Sequence, residues 1–540
     1  MNRPRALAPW VVVGVGGWPL GAGALKARPG AYQIASNWDG RFGCPGPREV
    51  ADLTGIASGY RVIKIIKSFD INIAVTTNGT DTKVYRKETT WVVRATISSR
   101  VATDAVSFKN VIAIAFGEGF AYQFATDSGA GALSFAASTK TADNAERANY
   151  FLVQNNGLLT PRVMYCVDPN EVYYTTDLTD TDAAGVNASY VGDTAATQDY
   201  FTSIAEEPGT GRVLFGKRHA LYTIHQEPGY DGVWEKLTED YPDPIADAGG
   251  QSDRNNFENP ALVGGLLYYP VQGYDILVWP SNPVNRWLAP RWASGCRLPR
   301  MDLPINALVG VSGYLVAFLG SKNTSTLKSG AYFPGGASNH LAATYTTASE
   351  MWVGSPVNGS MVWHGVLLEC TNPLRYAWFD EDDGYLYMAS GDSESNDLQM
   401  TRCLFTIDNP LERLTSSNVV LNAGTWKMEP GPQDWGDTWG HKRAEYIKLL
   451  TMGLADSTPS LEVEYRTQRP YDATAFESGF ITFTDEETAD LGTRFFDETY
   501  FRELSLRFVG VGTGNTYAIL LEATVWASEA SDQNQEVPAR

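Results

Sequence analysis

The sequence predicts an all-β protein, on three observations. Aromatic residues make up 12% of the 540 residues and occur with 51 glycines, a composition typical of strands joined by tight turns. Apolar runs of four to eight residues end at turn residues, and no long segment keeps the 3.6-residue period of an amphipathic helix. A similar strand-turn-strand pattern also recurs at intervals of about 50 residues.

The first predicted element is an extended N-terminal arm and connecting segment, residues 1–56. Residues 6–25, ALAPWVVVGVGGWPLGAGAL, carry no charge and follow a basic MNRPR, which also fits a signal peptide or a membrane helix. Pro9, Pro19 and several glycines oppose a helix, and no A-x-A cleavage site follows. We expect an extended arm, buried or docked on a partner, with no membrane span; a signal peptide is the alternative.

Residues 57–415 are predicted to form a β-propeller. In residues 61–97, RVIKIIKSF, DINIAVTTNG, TKVYRK and TWVVRATI are four short strands in about 40 residues, the size of one blade. Similar segments follow at residues 105–124, 150–177, 201–237, 259–287, 305–333 and 374–407. They predict about seven blades, with six or eight as alternatives. A stack of β-sandwiches is the competing fold.

Residues 416–528 are predicted to form an antiparallel β-sandwich, followed by a flexible tail at 529–540. The pattern changes here to longer strands: EYIKLLTMGL, SLEVEYRTQ, GFITFTD, FRELSLRFVGVG and YAILLEATVWA. In the second of these, Leu461, Val463 and Tyr465 alternate with charged residues, which places apolar side chains on one face.

Charge and motif content indicate a protein without catalytic machinery. The net charge of −20 argues against binding nucleic acid through its phosphates, although an acidic surface could line a path through which DNA passes. The five cysteines are scattered without a CxxC motif, and the five histidines form neither HxH nor HExxH. We therefore expect no metal site, no cofactor and no enzymatic activity.

The acidic segment FDEDDGYLY, residues 379–387, has two interpretations. It could be a calcium loop or contribute a carboxylate pair for glycoside hydrolysis. However, the alternation of an EF-hand loop is missing, and Asp383-Gly384 between two aromatic strands is a standard hairpin signal. We predict a hairpin turn.

Both ends of the chain resemble propeller-type structural proteins of tailed bacteriophages, and the resemblance covers about half the chain. Such proteins begin with an arm whose pattern is matched here by Gly17-Trp18-Pro19, Pro29-Gly30, Asn37-Trp38, Arg41, Gly43 and Arg48. Their closing strands are similar to Trp426 or Trp439, Lys442-Arg443, Ile447-Lys448-Leu449-Leu450, Val463-Glu464-Tyr465-Arg466 and residues 502–508. The Cys44-Pro45-Gly46-Pro47 insertion departs from the pattern.

The resemblance implies a virion protein, made in the host cytoplasm. It would be a tail nozzle, hub or tip component that assembles as a homo-oligomeric ring with other tail or connector proteins. DNA would pass through the lumen without specific binding, and a host surface glycan is a possible further partner. Ring neighbours would also cover the apolar arm.

The alternative function is a carbohydrate-binding or glycoside-hydrolysing propeller, which would act in receptor binding or as a depolymerase. Trp side chains stack on sugar rings, and this chain offers Trp279, Trp287, Trp292, Trp352, Trp363 and Trp378. The opposing interpretation is that most of these are core residues, because Trp is largely buried on average. A secreted lectin, which needs a cleaved signal peptide, is a weaker alternative.

The stretch SNWDGRFGCPGPR, residues 36–48, combines polar, aromatic, glycine and proline residues as an active-site loop can. Its Asp39-Gly40 and Pro45-Gly46-Pro47 sequences, however, are typical of turns. We predict that Trp38 inserts into the first blade and that Arg41 or Arg48 pairs with a carboxylate of the propeller rim. With Trp18, these residues are the expected structural or interface positions, and Trp38→Ala is expected to lower folding yield or assembly. No role is predicted for Cys44.

Overall fold

The computed structural model describes residues 6–8, 10–13, 32–36, 38–39, 41, 44–45, 50–51, 56–57, 59–140, 144–155, 160–180, 189–192, 200–224, 234–241, 256–271, 275–279, 305–319, 349–357, 360–370, 374–390, 399–405, 425–430, 433, 435, 442–452, 460–466, 477–483, 492–495, 500–501, 503–511 and 519–529. These residues contain β-strands and no α-helix, so the all-β prediction is confirmed.

The N-terminal segment contributes short strands that pair with distant parts of the chain. They are β1 (Trp10–Val13), β2 (Tyr32–Ser36), β3 (Trp38–Asp39), β4 (Cys44–Pro45) and β5 (Val50–Ala51). Strand β3 pairs with β4, which makes the predicted turn region a small hairpin.

The middle of the chain forms successive antiparallel sheets, named A to G in chain order. Sheet A contains β6 (Arg61–Ser68), β7 (Ile71–Thr77), β8 (Thr82–Lys87) and β9 (Trp91–Ile97). Sheet B contains β10 (Asp104–Phe108), β11 (Val111–Ala115), β13 (Gln123–Thr126) and β14 (Ala136–Ala137), while β12 (Gly117–Ala121) pairs with β15 (Arg147–Ala148). Sheet C contains β16 (Tyr150–Gln154), β17 (Arg162–Val167), β18 (Glu171–Thr175) and β19 (Ser189–Tyr190). Sheet D contains β20 (Phe201–Glu206), β21 (Val213–Lys217), β22 (Leu221–Ile224) and β23 (Trp234–Lys236).

The later sheets recruit strands from further away. Sheet E contains β24 (Ala261–Val263), β25 (Leu266–Val271) and β26 (Asp275–Trp279). Sheet F contains β27 (Ile305–Val311), β28 (Tyr314–Leu319), β29 (Ser349–Val357) and β30 (Ser360–Cys370), so it extends well past the predicted segment 305–333. Sheet G contains β31 (Leu374–Asp380), β32 (Tyr385–Ser390) and β33 (Gln399–Leu404), and β5 pairs with β33 as its outer strand.

The sheets contact one another in sequence order and return to the start. The first strands touch in the order β6, β10, β16 and β20, and then β24, β27 and β31, with β31 touching β6 again. Sheets D and E share a hydrophobic cluster that includes Leu214, Leu221, Leu267 and Leu277. Sheets A and G share another, with Val62 and Ile65 beside Ala389 and Met400.

Repeated local geometry explains why the hairpins form. The first two strands of sheets A, B, E and F are joined by Phe69-Asp70, Lys109-Asn110, Gly264-Gly265 and Ser312-Gly313, all with positive φ. This is the two-residue turn whose twist matches that of the strands, and Asp, Asn or Gly in each pair tolerates it.

The first strands of several sheets also carry bulges. Register shifts lie between Val62 and Lys64, Phe201 and Ser203, Ile305 and Ala307, and Leu374 and Tyr376. Each bulge increases the local bend and twist of the strand near its start. A bulge depends on the partner strand, so sequence periodicity did not reveal it.

The remaining strands belong to the C-terminal region, and those predicted from residues 442–529 are present. They are β34 (Thr425–Pro430), β35 (Lys442–Met452), β36 (Ser460–Arg466), β37 (Glu477–Phe483), β38 (Gly492–Phe495), β39 (Tyr500–Phe501), β40 (Ser505–Val511) and β41 (Ile519–Glu529). One sheet has the order β1-β41-β35-β38, with β39 also on β35. Strands β2-β34-β40-β36-β37 continue sheet F beyond β30, through the pairing of β2 with β30, so that together they form one nine-stranded sheet. Side chains of both sheets, among them Ile447, Val525, Leu461 and Phe508, share one hydrophobic cluster.

The N-terminal segment connects the C-terminal strands with sheet F. Strand β1 pairs with β41 along Trp10–Val13, and Val12 is buried in the C-terminal cluster. Strand β2 pairs with β34 and, through Ser36 and Val366, with β30 of sheet F. The described part of the apolar arm is therefore paired with this chain's own last strand, with Val12 buried and Val11 42% exposed.

Candidate functional site

Arg41 lies at the contact between the N-terminal segment and sheets F and G. Its guanidinium makes two hydrogen bonds of 2.9 Å to the Asp39 carboxylate and a third, of 3.2 Å, to the backbone oxygen of Phe405. The same guanidinium lies 4.1 Å from the ring centroid of Phe405 and 5.0 Å from that of Tyr314. We call Asp39, Arg41, Tyr314, Ser355, His364 and Phe405 the Arg41 cluster.

The Asp39–Arg41 pair is buried, with side chains only 1% and 2% exposed. The short hairpin of β3 and β4 makes the pair possible, because Arg41 also donates its backbone N–H to Asp39 Oδ1 at 3.1 Å. A planar guanidinium can bind a carboxylate with two parallel hydrogen bonds and stack on aromatic rings at the same time. Arg41 therefore pairs with Asp39 of its own loop, whereas a carboxylate of the propeller rim had been predicted, and sheets F and G supply two rings and a carbonyl.

His364 on β30 completes the cluster as a neutral side chain. Its Nε2 lies 2.7 Å from Ser355 Oγ on β29, and its ring is 6.4 Å from that of Tyr314. Burial lowers the pKa of His364 to about 4; Asp39 opposes this shift and Arg41 adds to it. Its Nδ1 is buried and has no hydrogen-bond partner among the described residues.

Ser355 Oγ and His364 Nε2 are as close as a serine nucleophile and its histidine general base, but the other features of such a catalytic pair are missing among the described residues. A catalytic imidazole needs a group on its other nitrogen to orient it and a pKa near the working pH. Among the described residues, Nδ1 of His364 lacks such a partner, and burial favours its neutral form far below neutrality. The cluster is suited to holding the N-terminal segment rather than to hydrolysis.

The other predicted positions are described less fully. The backbone of Trp38 pairs with that of Pro45 in the β3–β4 hairpin. The side chain of Trp38, together with Trp18 and Arg48, lies outside the described residues. Sequence reasoning missed Tyr314, His364 and Phe405, because nothing near them in the sequence indicates contact with Arg41.

A second set of charges links the first strands of sheets A, B and C. Lys64 Nζ is 3.0 Å from Asp104 Oδ1, and Asp104 Oδ2 accepts a 2.8 Å hydrogen bond from the backbone N–H of Phe151. The Asp104 carboxylate raises the pKa of Lys64, which outweighs the opposing effect of burial. Both oxygens of Asp104 are engaged, so this carboxylate joins sheets instead of presenting a free acid or base.

The acidic turn before Tyr385 joins the last sheet to the first. Residues 381–384 form the predicted hairpin turn between β31 and β32, and Glu381, Asp382 and Asp383 are exposed. Asp380, in contrast, is buried and accepts hydrogen bonds from Lys67 at 3.0 Å and Asn72 at 2.6 Å, both in sheet A. Burial opposes ionisation of Asp380, but these hydrogen bonds outweigh it and lower the pKa.

We expect Asp380→Ala to lower the free energy of unfolding by about 1–3 kcal/mol, because Asn72 and Lys67 lose a buried acceptor. Asp382→Ala is the matched control: its carboxylate also binds Lys67, at 2.7 Å, but its side chain is 74% exposed. That change should cost less than about 1 kcal/mol. Urea unfolding of the two variants measures the difference, and equal losses would show that Asp380 does not link the sheets.

Other potential sites are not found in the described part of the chain. No group of His, Cys, Asp and Glu there could hold a metal ion. The thiols of Cys166 and Cys403 are buried, and so are Trp279, Trp352 and Trp363, with exposures of 3–4%. Trp287 and Trp292 lie outside the described residues. No described helix is long and apolar enough to cross a membrane.

Comparison with known proteins does not assign a family. No protein-family model matches the chain, and no curated protein matches it significantly.

Solved structures with a similar fold are found at low sequence identity. A streptogramin B lyase is 9% identical, the match covers 66% of this chain and 97% of the lyase, and the TM-score is 0.39. The β-propeller domain of Cps50 (Swd1) from Myceliophteria thermophila is 11% identical and covers 66% and 100%, with a TM-score of 0.42. The WD40 domain of Toxoplasma gondii coronin is 10% identical and covers 70% and 87%, with a TM-score of 0.41. All three scores are below 0.5, so these similarities carry no argument about activity.

Proposed function

We propose that this chain is a structural component of a tailed-phage virion, a tail nozzle, hub or tip protein that assembles as a ring around the DNA path. Its architecture would be a seven-bladed β-propeller, formed by sheets A to G, followed by a β-sandwich formed by the two C-terminal sheets. The resemblance of both chain ends to such virion proteins is the starting point of the proposal.

The pairing of the two chain ends is the observation that carries the proposal. The closing motifs fall on strands β35, β36 and β40, and the described strands of the N-terminal arm join the same two sheets. Strand β2, which lies between the matched positions Gly30 and Asn37, therefore pairs directly with β34 of the C-terminal region. Such an arrangement supports a common origin for both ends better than two chance matches would.

The charge and the internal contacts are consistent with a scaffold. A net charge of −20 disfavours adhesion of DNA phosphates to the protein surface. The carboxylates of Asp104 and Asp380 connect neighbouring sheets, and their oxygens are occupied by the hydrogen bonds that make these connections. These features suit a rigid wall past which DNA moves.

The carbohydrate-active alternative receives less support from the described residues. Trp279, Trp352 and Trp363 are buried. Trp378 is partly exposed, but its ring stacks on that of Tyr387 with 4.5 Å between the ring centroids. The ring of Tyr376 also stacks on Trp378, at a centroid distance of 6.2 Å. These rings pack on one another and on sheet A, which leaves little open aromatic surface for a sugar ring.

The test is immunogold labelling of purified virus particles with an antibody raised against this chain. We expect label at the tail end of each particle, with antibody preabsorbed on the purified chain as the control. Label confined to host-cell debris, with bare particles, would contradict the proposal. Light scattering of the purified chain gives an independent measurement, since a ring component should form a defined multimer.

A further inference from the structure

We propose that the Arg41 cluster is an acid-sensitive latch: protonation of His364 loosens the N-terminal segment, residues 32–51, from sheets F and G. This inference does not depend on the proposed virion function. It rests on the position of His364 beside a buried ion pair and on the strands that flank that pair.

The segment holds several parts of the molecule together. Before the cluster, β2 pairs with β34 of the C-terminal region and touches β30 of sheet F. After the cluster, β5 pairs with β33 as the outer strand of sheet G. Loosening residues 32–51 would therefore free the outer edge of sheet G and separate sheet F from β34.

His364 lies beside a buried ion pair. Among the described residues, the ionisable groups that face it are the Asp39 carboxylate and the Arg41 guanidinium of the N-terminal segment. These two groups already neutralise one another through two hydrogen bonds. The other neighbours are the Ser355 hydroxyl on β29 and the Tyr314 ring on β28. Asp39 attracts a protonated His364 and Arg41 repels it, and the attraction does not offset the cost of burying the charge.

Hydrogen bonding disfavours the charged ring as well. A protonated imidazole has two N–H donors. Ser355 Oγ can accept from Nε2, but Nδ1 is buried and has no partner among the described residues. When neutral His364 carries its proton on Nε2, protonation creates at Nδ1 a buried donor without an acceptor among the described residues, unless the segment moves and admits water.

The direction of the pH effect follows from linkage. Burial lowers the pKa of His364 from 6.5 to about 4 when the segment is docked. A released segment exposes the ring, so the released form binds a proton at higher pH than the docked form does. The docked form is fully favoured above pH 6.5 and loses its advantage as the pH falls towards 4. At pH 5 the opening equilibrium should rise about 30-fold relative to pH 7.5.

Hydrogen exchange of the full-length chain at pH 7.5 and pH 5.0, corrected for intrinsic exchange rates, tests the latch. We expect the opening constant of peptides covering residues 32–51 to rise about 30-fold at pH 5, and peptides covering β17 to be unchanged. His364→Gln should abolish the rise. His219→Gln is the matched control, because His219 Nδ1 lies 3.1 Å from the Tyr241 carbonyl oxygen, away from the cluster. This variant should retain the rise in the opening constant at pH 5.

Each other outcome overturns the proposal. If the opening constant of residues 32–51 in the wild-type protein is the same at pH 7.5 and pH 5.0, the latch is ruled out. This result does not require any variant to fold. A parallel rise in β17 indicates global acid unfolding in place of local release. A rise that persists in His364→Gln assigns the effect to another group.

Discussion

Asp127→Ala is expected to lower the free energy of unfolding by about 3–5 kcal/mol, because it leaves the buried Arg86 guanidinium without its counterion. Arg86 lies on β8 of sheet A, and Asp127 follows β13 of sheet B. Their side chains are 2% and 0% exposed. Arg86 Nε and Nη1 already have no partner among the described residues, so little else there can compensate for the lost carboxylate.

The same substitution removes two further hydrogen bonds, one that joins these sheets and one within the loop that follows β13. Asp127 Oδ2 accepts a 2.7 Å hydrogen bond from Ser68 Oγ at the end of β6, and Oδ1 accepts one of 2.9 Å from Gly129 N. Burial opposes ionisation of Asp127, but these hydrogen bonds and Arg86 together lower its pKa. Its contribution should be present above its ordinary pKa of 3.8 and be lost as the pH falls below that value.

Urea unfolding of Asp127→Ala beside Glu88→Ala provides the measurement and its control. Glu88 pairs with Arg94 on the same sheet, but their side chains are 42% and 21% exposed, so the control should lose less than about 1 kcal/mol. If both variants lose the same small amount, the contact between sheets A and B does not depend on this ion pair. Replacing Arg86 by Met together with Asp127→Ala should recover much of the loss, because no charge is then left buried.

Arg41→Met is the second substitution with a large expected effect, and we expect it to lower the free energy of unfolding by about 3–5 kcal/mol. The substitution leaves the Asp39 carboxylate, 1% exposed, without the guanidinium that neutralises it. It also removes the contacts of Arg41 with the Phe405 and Tyr314 rings and its hydrogen bond to the Phe405 carbonyl. Because the contacts with Phe405 and Tyr314 join the N-terminal segment to sheets F and G, residues 32–51 should exchange faster than the rest of the chain.

Arg212→Ala is a suitable control for Arg41. Arg212 pairs with Glu235 across sheet D, with side chains 27% and 49% exposed, and its loss should cost less than about 1 kcal/mol. The double variant Asp39→Asn, Arg41→Met should be less destabilised than the single change, because it leaves no buried charge. A single variant as stable as Arg212→Ala would show that the segment is held by other contacts.

The individual strands could be predicted because their signals are local. TKVYRK was predicted as a strand and is β8, and the turn residues Asp70, Asn110 and Gly313 lie in the tight turns that they favour. Alternation in SLEVEYR placed Leu461 and Val463 on the buried face of β36. Each of these features depends on the periods and turn preferences of neighbouring residues.

Pairings between distant residues could not be predicted in this way. Arg41 was singled out for its position in a turn, but Tyr314, His364 and Phe405 come from parts of the chain more than 270 residues later. The role of Asp380 was similarly hidden within a run of acidic residues, since only the location of Lys67 and Asn72 distinguishes it from Asp382. Sheet F was underestimated for the same reason, because its third and fourth strands begin 30 residues or more after the second ends.

The pairing of β5 with β33 has a consequence for biosynthesis. Ala51 is translated 350 residues before its partner Thr401. At about 5–20 residues per second, this delay lasts roughly 20–70 seconds. Throughout that time the nascent chain must keep a β-strand with unsatisfied backbone groups away from other edges. Production of this protein should therefore depend on chaperone supply and translation speed, and should suffer most when neighbouring ribosomes hold many unfinished copies close together.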